Sequence, residues 1–138
     1  MEYKTSKEIK DQDLRKLYTS LHWSAYTDKF PDLSVLLRDC MIVYSAWDKD
    51  KLVGLIRVIG DNVSIAYVQD LLVLPEYQKT GVGKELLDYV LENTRHIRQF
   101  QLITDNLPEN QSIRDWYQSR GLIPNTQAGL TGFGLDRG

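Results

Sequence analysis

The residues best suited to chemistry in this sequence lie between Gln78 and Lys84, where Gly81 and Gly83 follow an apolar segment and precede a helical repeat. The first turn of a helix has N–H groups without partners and carries a partial positive charge, so it attracts phosphate. Glycines let a ligand approach the backbone closely, and Lys79 adds positive charge. The segment is therefore predicted to bind the phosphates of a nucleotide.

Two well-known phosphate-binding patterns do not fit this segment. A Walker P-loop, G-x-x-x-x-G-K-[ST], has glycine where Gln78 stands and a hydroxyl side chain where Glu85 stands. The Rossmann pattern G-x-G-x-x-G requires a third glycine, at the position of Leu86. From the residues alone, it remains open that Gly81 and Gly83 only permit a tight turn between a strand and a helix.

A third pattern fits: Gln78-x-x-Gly81-x-Gly83, after a strand and a V-x-P-x-Y turn, resembles the acyl-CoA-binding motif Q/R-x-x-G-x-G/A of the GNAT superfamily of N-acetyltransferases. The resemblance covers the chain from about Met41 to Leu122. It implies that the backbone of one segment binds the pyrophosphate of acetyl-CoA, namely Gln78, Lys79, Thr80, Gly81, Val82, Gly83 and Lys84. It also implies that three strand residues meet the pantetheine arm, namely Leu71, Leu72 and Val73. The N–H of Val73 or of a neighbour would polarise the thioester carbonyl.

A second motif begins at Asn110, where Asn110, Tyr117 and Gly121 match the later GNAT pattern N-x-x-A-x-x-F/L-Y-x-x-x-G-F. The resemblance implies that Asn110 and Tyr117 contact the cofactor and that Tyr117 is the general acid. Aminolysis of a thioester expels a thiolate, and a phenol with a pKa of about 10 can donate a proton to it. The alternative for Tyr117 is a half-buried tyrosine that only packs.

The general base is less clearly indicated. An alkylamine has a pKa of about 10.4, so a group must take its proton before attack. In several relatives the base matches Tyr67 or Gln69, and neither residue suits that task here. Asp70 is the only carboxylate on the strand; alternation places it opposite Gln69, but a β-bulge could redirect it. The alternatives are a structural role for Asp70 and a chain of water molecules.

The acceptor pocket implied by the resemblance would be framed by an aromatic-rich segment that contains Trp23, Tyr26, Asp28 and Phe30. Aromatic rings with one carboxylate suit a small amine, although such rings often only cover the edge of a core. His22 and His96 lack metal-ligand spacing and are predicted to lie at the surface, so no metal is expected. The single cysteine is predicted to be buried packing.

Composition places the chain among ordinary globular proteins. It has 138 residues, of which 42% are hydrophobic and 26% charged, and a net charge of −2. This size suits a single domain over residues 1–138. The sequence has no excess of basic residues that would indicate nucleic-acid binding, and it has no apolar run long enough to predict a membrane span. One cysteine allows no internal disulfide, so a cytoplasmic location is expected.

Hydrophobic periodicity predicts an α/β (α+β) chain with a hairpin-rich first half. The expected fold is a GNAT-like mixed, mostly antiparallel sheet of six to seven strands, splayed at the acyl-CoA site, with helices on both faces. The predicted strands are 2–5, 41–47, 51–59, 63–74, 100–104 and one or two within 123–135. The predicted helices are 11–21, 32–38, 81–94 and 110–120, with Asp32 as the cap of the second and Gly121 ending the last. Residues 23–31 are predicted to form an aromatic-rich loop.

Together these features predict an acetyl-CoA-dependent N-acetyltransferase that acts on a primary amine of a small molecule by direct attack in a ternary complex. A protein or peptide N-acetyltransferase is the nearest alternative. A non-catalytic acyl-CoA-binding module would share the phosphate segment without needing Tyr117. Relatives often form dimers through C-terminal strands, so the resemblance also implies a homodimer.

Overall fold

The structure is a computed structural model that describes residues 1–137. The chain divides into two compact units, Met1–Ile103 and a second that begins at Thr104. The predicted single-domain organisation stays a prediction. No helix within residues 1–137 is both long enough and apolar enough to cross a bilayer.

The first unit is built on a five-stranded sheet whose strand order follows the chain. Neighbouring strands are antiparallel, except the last two, which are parallel. A parallel connection needs a crossover, and the helix that follows the fourth strand provides it. The sheet is therefore mixed and mostly antiparallel, as predicted. The strands are β1 (Glu2–Lys4), β2 (Ile42–Asp48), β3 (Lys51–Gly60), β4 (Ile65–Val73) and β5 (Gln99–Leu102).

Three helices belong to this unit: α1 (Asp11–Ser20), α2 (Ser24–Thr27) and α3 (Val82–Asn93). The apolar side chains that recur at helical spacing in α1 and α3 are the buried ones, so burial of one face stabilises each helix. The predicted loop around residue 25 is in fact the short helix α2. The predicted helix at 32–38 is a 3₁₀ turn, Leu33–Leu36, whose cap is Asp32, as predicted.

The two longer helices cover opposite faces of the sheet. A Cβ atom built on Gly54 of β3 would lie 3.0 Å from Val82 and 3.1 Å from Leu86, so α3 packs closely on this face. Arg57 lies an odd number of residues further along β3 and therefore points to the other face. Tyr18 of α1 lies on that second face, joined to Arg57 through one carboxylate. The predicted helices on both faces are confirmed.

The second unit contains α4 (Gln111–Ser119) and two 3₁₀ turns, Pro108–Asn110 and Asn125–Ala128. Gly121 ends α4, as predicted, because its φ of 96° lies in the left-handed region. The N–H of Gly121 donates to Gln118, and the N–H of Leu122 donates to Tyr117. These two bonds form a Schellman motif, which satisfies the last carbonyls of the helix.

The prediction of six to seven strands was wrong, because the described residues contain five. No residue of the predicted tail segment 123–135 joins a strand ladder in this structure. Phe133 and Leu135 are 97% and 79% exposed, so burial of apolar side chains does not stabilise a strand there. Gly129, Gly132 and Gly134 further weaken a strand because glycine loses more backbone freedom on ordering.

Candidate functional site

Strand β4 is irregular at Gln69. Arg57 of β3 pairs with Asp70, whereas the next β3 residue, Val58, pairs with Val68, so Gln69 has no partner in the register. One extra residue in one strand is a β-bulge, which interrupts the alternation of side chains. The predicted redirection of Asp70 by a bulge is therefore confirmed, and Asp70 shares a face with Gln69.

Beyond the bulge, β4 has an open edge. Its pairing with β5 covers only the first part of the strand and ends where Val68 meets Leu102. Within residues 1–137, Asp70–Val73 pair with β3 alone, and Gln69 pairs with neither neighbouring strand. The two parallel neighbours thus cease to pair midway along β4, which leaves main-chain groups available to an extended ligand.

The hydrogen-bond pattern shows which peptide groups face this open edge. The N–H of Leu74 donates to Val53 of β3 over 2.8 Å. Along an antiparallel strand the main-chain groups alternate between the two sides. Those of Leu72 therefore point to β3, and those of Leu71 and Val73 point to the open edge. Of the three residues predicted to meet the pantetheine arm, two present their N–H groups there.

The segment after β4 turns sharply toward α3. A 3₁₀ turn, Pro75–Tyr77, is followed by Gln78, whose side-chain Nε2 donates to the carbonyl of Val73 over 3.0 Å. Lys79 has a φ of 62°, and Gly81, with a φ of 95°, stands at the N-cap of α3. This succession of turns brings the chain from the open edge directly into the first turn of a helix.

The start of α3 offers hydrogen-bond donors. Among the described residues, no side chain caps this helix end. The first residue whose N–H is bonded within the helix is Glu85, which donates to the carbonyl of Gly81 over 3.0 Å. The N–H groups of Val82, Gly83 and Lys84 precede it and have no intrahelical partner. The anion site predicted at this end of the helix stays a prediction, and these N–H groups are the donors that it would use.

Positive side chains flank this segment. Lys79 and Thr80 are exposed, and the Thr80 hydroxyl donates to the carbonyl of Tyr77. The Lys84 ammonium lies 2.9 Å from Asp88 at the i+4 position, with 59% of its side chain exposed. An exposed pair of this kind is weak, so Lys84 can exchange its partner for a phosphate at little cost.

Asp70 sits in a buried polar cluster. Its Oδ2 accepts hydrogen bonds from Arg57 Nε at 2.5 Å and from the Tyr18 hydroxyl at 2.7 Å. The side chains of Arg57 and Asp70 are 7% and 1% exposed. Burial, followed by the negative charge of Asp70, raises the pKa of Tyr18 well above its ordinary value. The carboxylate predicted as a base is thus held by a permanent cation and a neutral phenol.

The cluster continues to the surface through Tyr26 of α2. The Tyr26 hydroxyl accepts from Arg57 Nη2 at 3.3 Å and from Gln69 Nε2 at 3.0 Å. Its ring meets the Tyr18 ring edge-on at 5.4 Å. Burial, together with the neighbouring Tyr26 and Asp70, raises the pKa of Tyr67. The predicted acceptor residue Tyr26 therefore lies beside the bulge of β4.

The other predicted acceptor residues are more peripheral. Trp23 is 38% exposed, and its ring centroid lies 6.0 Å from that of Tyr18. Phe30 is 37% exposed and lies 6.4 Å from Tyr26. Asp28, which follows α2, is exposed. Trp23 and Phe30 thus provide an exposed aromatic surface next to the polar cluster.

The later motif lies in the second unit. Tyr117 is half-buried on α4, and burial raises the pKa of its hydroxyl. Its ring lies 5.3 Å from that of Trp116. The Asn110 side-chain amide donates to both carboxylate oxygens of Asp105, at 3.1 and 2.9 Å. This contact leaves the Asn110 amide oxygen as the group that a ligand can use.

The predicted surface or buried positions of three further residues are confirmed, and the sequence analysis did not single out one buried residue of the polar cluster. His22 and His96 are exposed, and Cys40 is buried, all as predicted. Within residues 1–137, no group of three or more His, Cys, Asp or Glu side chains is placed to hold a metal ion. Arg57 was not singled out, although an arginine within the apolar run of β3 is a signal for a buried partner.

Comparison with known proteins gives a consistent family. A family model described as an acetyltransferase (GNAT) domain matches residues 39–121, more than half of the chain. A ycf52-like N-acetyltransferase of Prochlorococcus marinus is 30% identical over 115 residues, which is 79% of this chain and 60% of the relative. An acetyltransferase of Gibberella zeae is 31% identical over 77 residues, or 51% of this chain. The chain spans 60% and 44% of these two relatives.

Solved structures share the fold. A GNAT-family acetyltransferase from Streptococcus pneumoniae TIGR4 is 33% identical, with a TM-score of 0.82, over 99% of this chain and 98% of that one. An aminoglycoside 6'-N-acetyltransferase, solved in complex with coenzyme A, has a TM-score of 0.60 at 24% identity. That match covers 78% of this chain and 63% of that one, and it shows likeness of fold.

Proposed function

This chain belongs to the GNAT family of acetyltransferases, and from that premise we propose that it transfers the acetyl group of acetyl-CoA to a primary amine. The family uses acetyl-CoA, which supplies the acetyl group as a reactive thioester. We propose that the acceptor is a small molecule and that its amine attacks acetyl-CoA directly in a ternary complex.

The observation that carries this proposal is the open edge of β4, continuous with the uncapped start of α3. The N–H groups of Leu71 and Val73 face the open edge, and those of Val82, Gly83 and Lys84 lie at the helix end. An extended arm with amide groups fits the first set, and a pyrophosphate fits the second. These residues therefore suit acyl-CoA, and a lone phosphate would use only the helix end.

The residues of the first unit would act mainly by binding and polarisation. An N–H of Leu71 or Val73 would donate to the thioester carbonyl and stabilise negative charge on its oxygen. Gln78 fixes the end of β4 through its bond to the Val73 carbonyl. Lys79 and Lys84 would balance the charge of the pyrophosphate.

We propose that Tyr117 holds the proton that the sulfur leaving group requires, and that Asn110 contacts the cofactor. Burial raises the pKa of the Tyr117 hydroxyl above its ordinary value of about 10. The phenol therefore stays protonated throughout the neutral range and can donate. This raised pKa also predicts that alkaline inactivation through Tyr117 occurs at a higher pH than an ordinary tyrosine would give.

The proton of the amine has two candidate destinations. The role of Asp70 as a general base stays a prediction, and its bonds to Arg57 and Tyr18 supply a structural role for the same carboxylate. We propose that water takes the proton, because Gln69 and Tyr26 rather than Asp70 reach the surface here. A cytoplasmic location and a homodimer remain proposals; sedimentation of the purified protein tests the latter.

Activity is measured as thiol release from acetyl-CoA with a panel of arylalkylamines, polyamines and peptides, and peptide products are read by mass spectrometry. We expect turnover with a small amine and a loss of about 100-fold in kcat/KM for Tyr117→Phe. Preferred acetylation of peptides would favour a protein acetyltransferase. CoA binding with no turnover on any amine would favour a non-catalytic module, and full activity of Tyr117→Phe would exclude the acid role.

The phosphate segment is tested by Gly83→Glu, which places a carboxylate in the first turn of α3. We expect CoA binding to be lost in isothermal titration, because the new charge repels phosphate. Gly132→Glu is the matched control, since a Cβ atom at Gly132 meets nothing within 4 Å. Unchanged CoA affinity of Gly83→Glu would refute the assignment of this segment.

A further inference from the structure

Two polar groups beside the bulge are fixed in place but retain unused hydrogen-bonding capacity. The Tyr26 oxygen accepts both of its bonds, one from Arg57 and one from Gln69, so its own proton is left for another acceptor. Gln69 uses only its amide nitrogen, which leaves Oε1 as an acceptor. Among residues 1–137, no hydrogen bond of the structure occupies either position. Gln69 is exposed and Tyr26 is half-buried, so a ligand can reach them.

These two groups are held by the buried cluster beneath them. Asp70 binds Arg57 at 2.5 Å, and Arg57 Nη1 also donates to the carbonyl of Leu36 at 3.2 Å. The guanidinium carbon of Arg57 lies 5.5 Å from the centre of the Tyr26 ring. The side chains that connect the ion pair to Gln69 are already held by hydrogen bonds. Little side-chain freedom is therefore lost when a ligand binds.

The pair also lies next to the open edge of β4. Gln69 is the bulged residue, and the N–H of Leu71, two residues along the same strand, faces that edge. One donor, the Tyr26 hydroxyl, and one acceptor, Gln69 Oε1, both flank the Gln69 amide nitrogen. A single small molecule with a donor and an acceptor on adjacent carbon atoms can bridge them.

We propose that Gln69 Oε1 accepts an N–H of the acceptor amine while the Tyr26 hydroxyl donates to an oxygen on the adjacent carbon. The acceptor is then a vicinal amino alcohol. This inference rests on the proposed function and narrows its substrate class. Gln69 and Tyr26 contact the acceptor, and Arg57 is a positioning residue that acts through Tyr26.

The test compares two amines that differ by one hydroxyl, 2-amino-1-phenylethanol and 2-phenylethylamine. Their dissociation constants are measured by titration into protein saturated with CoA, so that the readout does not depend on turnover. We expect the amino alcohol to bind about five-fold more tightly, as one neutral hydrogen bond allows. Tyr26→Phe should erase that preference, since it removes only the hydroxyl.

Gln69→Ala should weaken both amines by about five-fold and leave CoA affinity unchanged. Gln99→Ala, an exposed strand glutamine on β5, is the matched control and should change neither. The inference would be overturned if the wild-type protein showed no preference for the amino alcohol, or if Tyr26→Phe kept that preference. Unchanged amine binding in Gln69→Ala would also overturn it. If the preference is found but no amine is acetylated, the binding site stands and the proposed function fails.

Discussion

At the scale of single residues, Arg57 and Asp70 connect stability with the acceptor side of the site. They are the most deeply buried ion pair of residues 1–137, with side-chain exposures of 7% and 1%. Burial disfavours the charged guanidinium, but the charge of Asp70, its hydrogen bond and the smaller contributions of Tyr18 and Cys40 together outweigh burial and raise the pKa of Arg57. Asp70 Oδ1 is buried without a hydrogen-bond partner in this part of the chain. The pair therefore depends on one short contact.

Asp70→Asn should destabilise the protein by about 3–5 kcal/mol, because it leaves the buried Arg57 charge uncompensated. The measurement is urea unfolding at neutral pH. Asp28→Asn, at an exposed carboxylate, is the control and should change stability by less than about 0.5 kcal/mol. A loss below about 1 kcal/mol for Asp70→Asn would contradict the importance of the pair.

A double variant, Arg57→Met with Asp70→Leu, separates stability from catalysis. Replacing both charges by apolar side chains should restore most of the stability that Asp70→Asn loses. If the double variant folds and its kcat/KM keeps the wild-type dependence on pH, Asp70 is not the base. A rate that no longer rises through the acidic range would instead support the predicted base role.

The turn and helix start of the candidate phosphate segment could be predicted at this scale, and the polar cluster could not. Gln78, Gly81 and Gly83 are close in sequence, so their spacing is visible without a structure. Arg57, Asp70 and Tyr18 come from three elements, and only the fold brings them together. Tyr26 was singled out for its ring, whereas its bond to Gln69 depends on the bulge.

At the scale of elements, the turn between β3 and β4 depends on one carboxylate. Asp61 Oδ1 accepts from the N–H groups of Val63, Ser64 and Ile65 at 3.0, 2.7 and 3.1 Å, and Oδ2 accepts from the Ser64 hydroxyl at 2.6 Å. The Ser64 hydroxyl, followed by the N–H groups, lowers the pKa of Asp61 well below its usual range. The turn is thus organised by a charged acceptor.

The lowered pKa of Asp61 determines how the stability of the protein changes with pH. The stabilisation by Asp61 is present above the unfolded-state pKa of about 3.9 and is lost as the pH falls through the lower folded-state pKa. The difference in urea midpoint between wild type and Asp61→Asn should therefore be largest near pH 7 and shrink in acid. Asp50→Asn, in the β2–β3 turn, is the control. A difference that grows as the pH falls would contradict this assignment.

Elements with a buried face were the ones that sequence could predict. The apolar repeats of α1 and α3 and the runs of β2, β3 and β4 all correspond to observed burial. The prediction of strands within 123–135 was wrong because a short run of apolar residues can be exposed as well as buried. The contrast between Val90, fully buried, and Phe133, 97% exposed, shows that residue type alone does not decide burial.

At the scale of the whole molecule, the two sequence motifs lie in different compact units. The donor segment lies in Met1–Ile103, and Asn110 and Tyr117 lie in the second unit. Periodicity and spacing predicted each part separately, and only the resemblance to one family linked them. The acceptor class that we propose could not be predicted from sequence, because the proposal rests on a hydrogen bond between two residues distant in sequence, Tyr26 and Gln69.

Coenzyme A should raise the thermal stability of the protein, since a ligand that binds only the folded state stabilises it by mass action. At a concentration of 100 times Kd the gain is about 2.7 kcal/mol, read as a shift in Tm by calorimetry. Tyr117→Phe should keep most of the shift, and Gly83→Glu should lose it. Gly132→Glu should behave as wild type; an equal shift in Gly83→Glu would place CoA elsewhere.

The bulge at Gln69 divides β4 into two stretches that can evolve separately. The register of Leu71 and Val73 with β3 is set beyond the bulge, and that of Tyr67 is set before it. Under the proposed function, substitutions in the first stretch would change which amines are accepted without shifting the peptide groups of Leu71 and Val73 at the open edge. One inserted residue would thus let the half of β4 proposed to meet the acceptor vary while the half proposed to meet the donor stays constant.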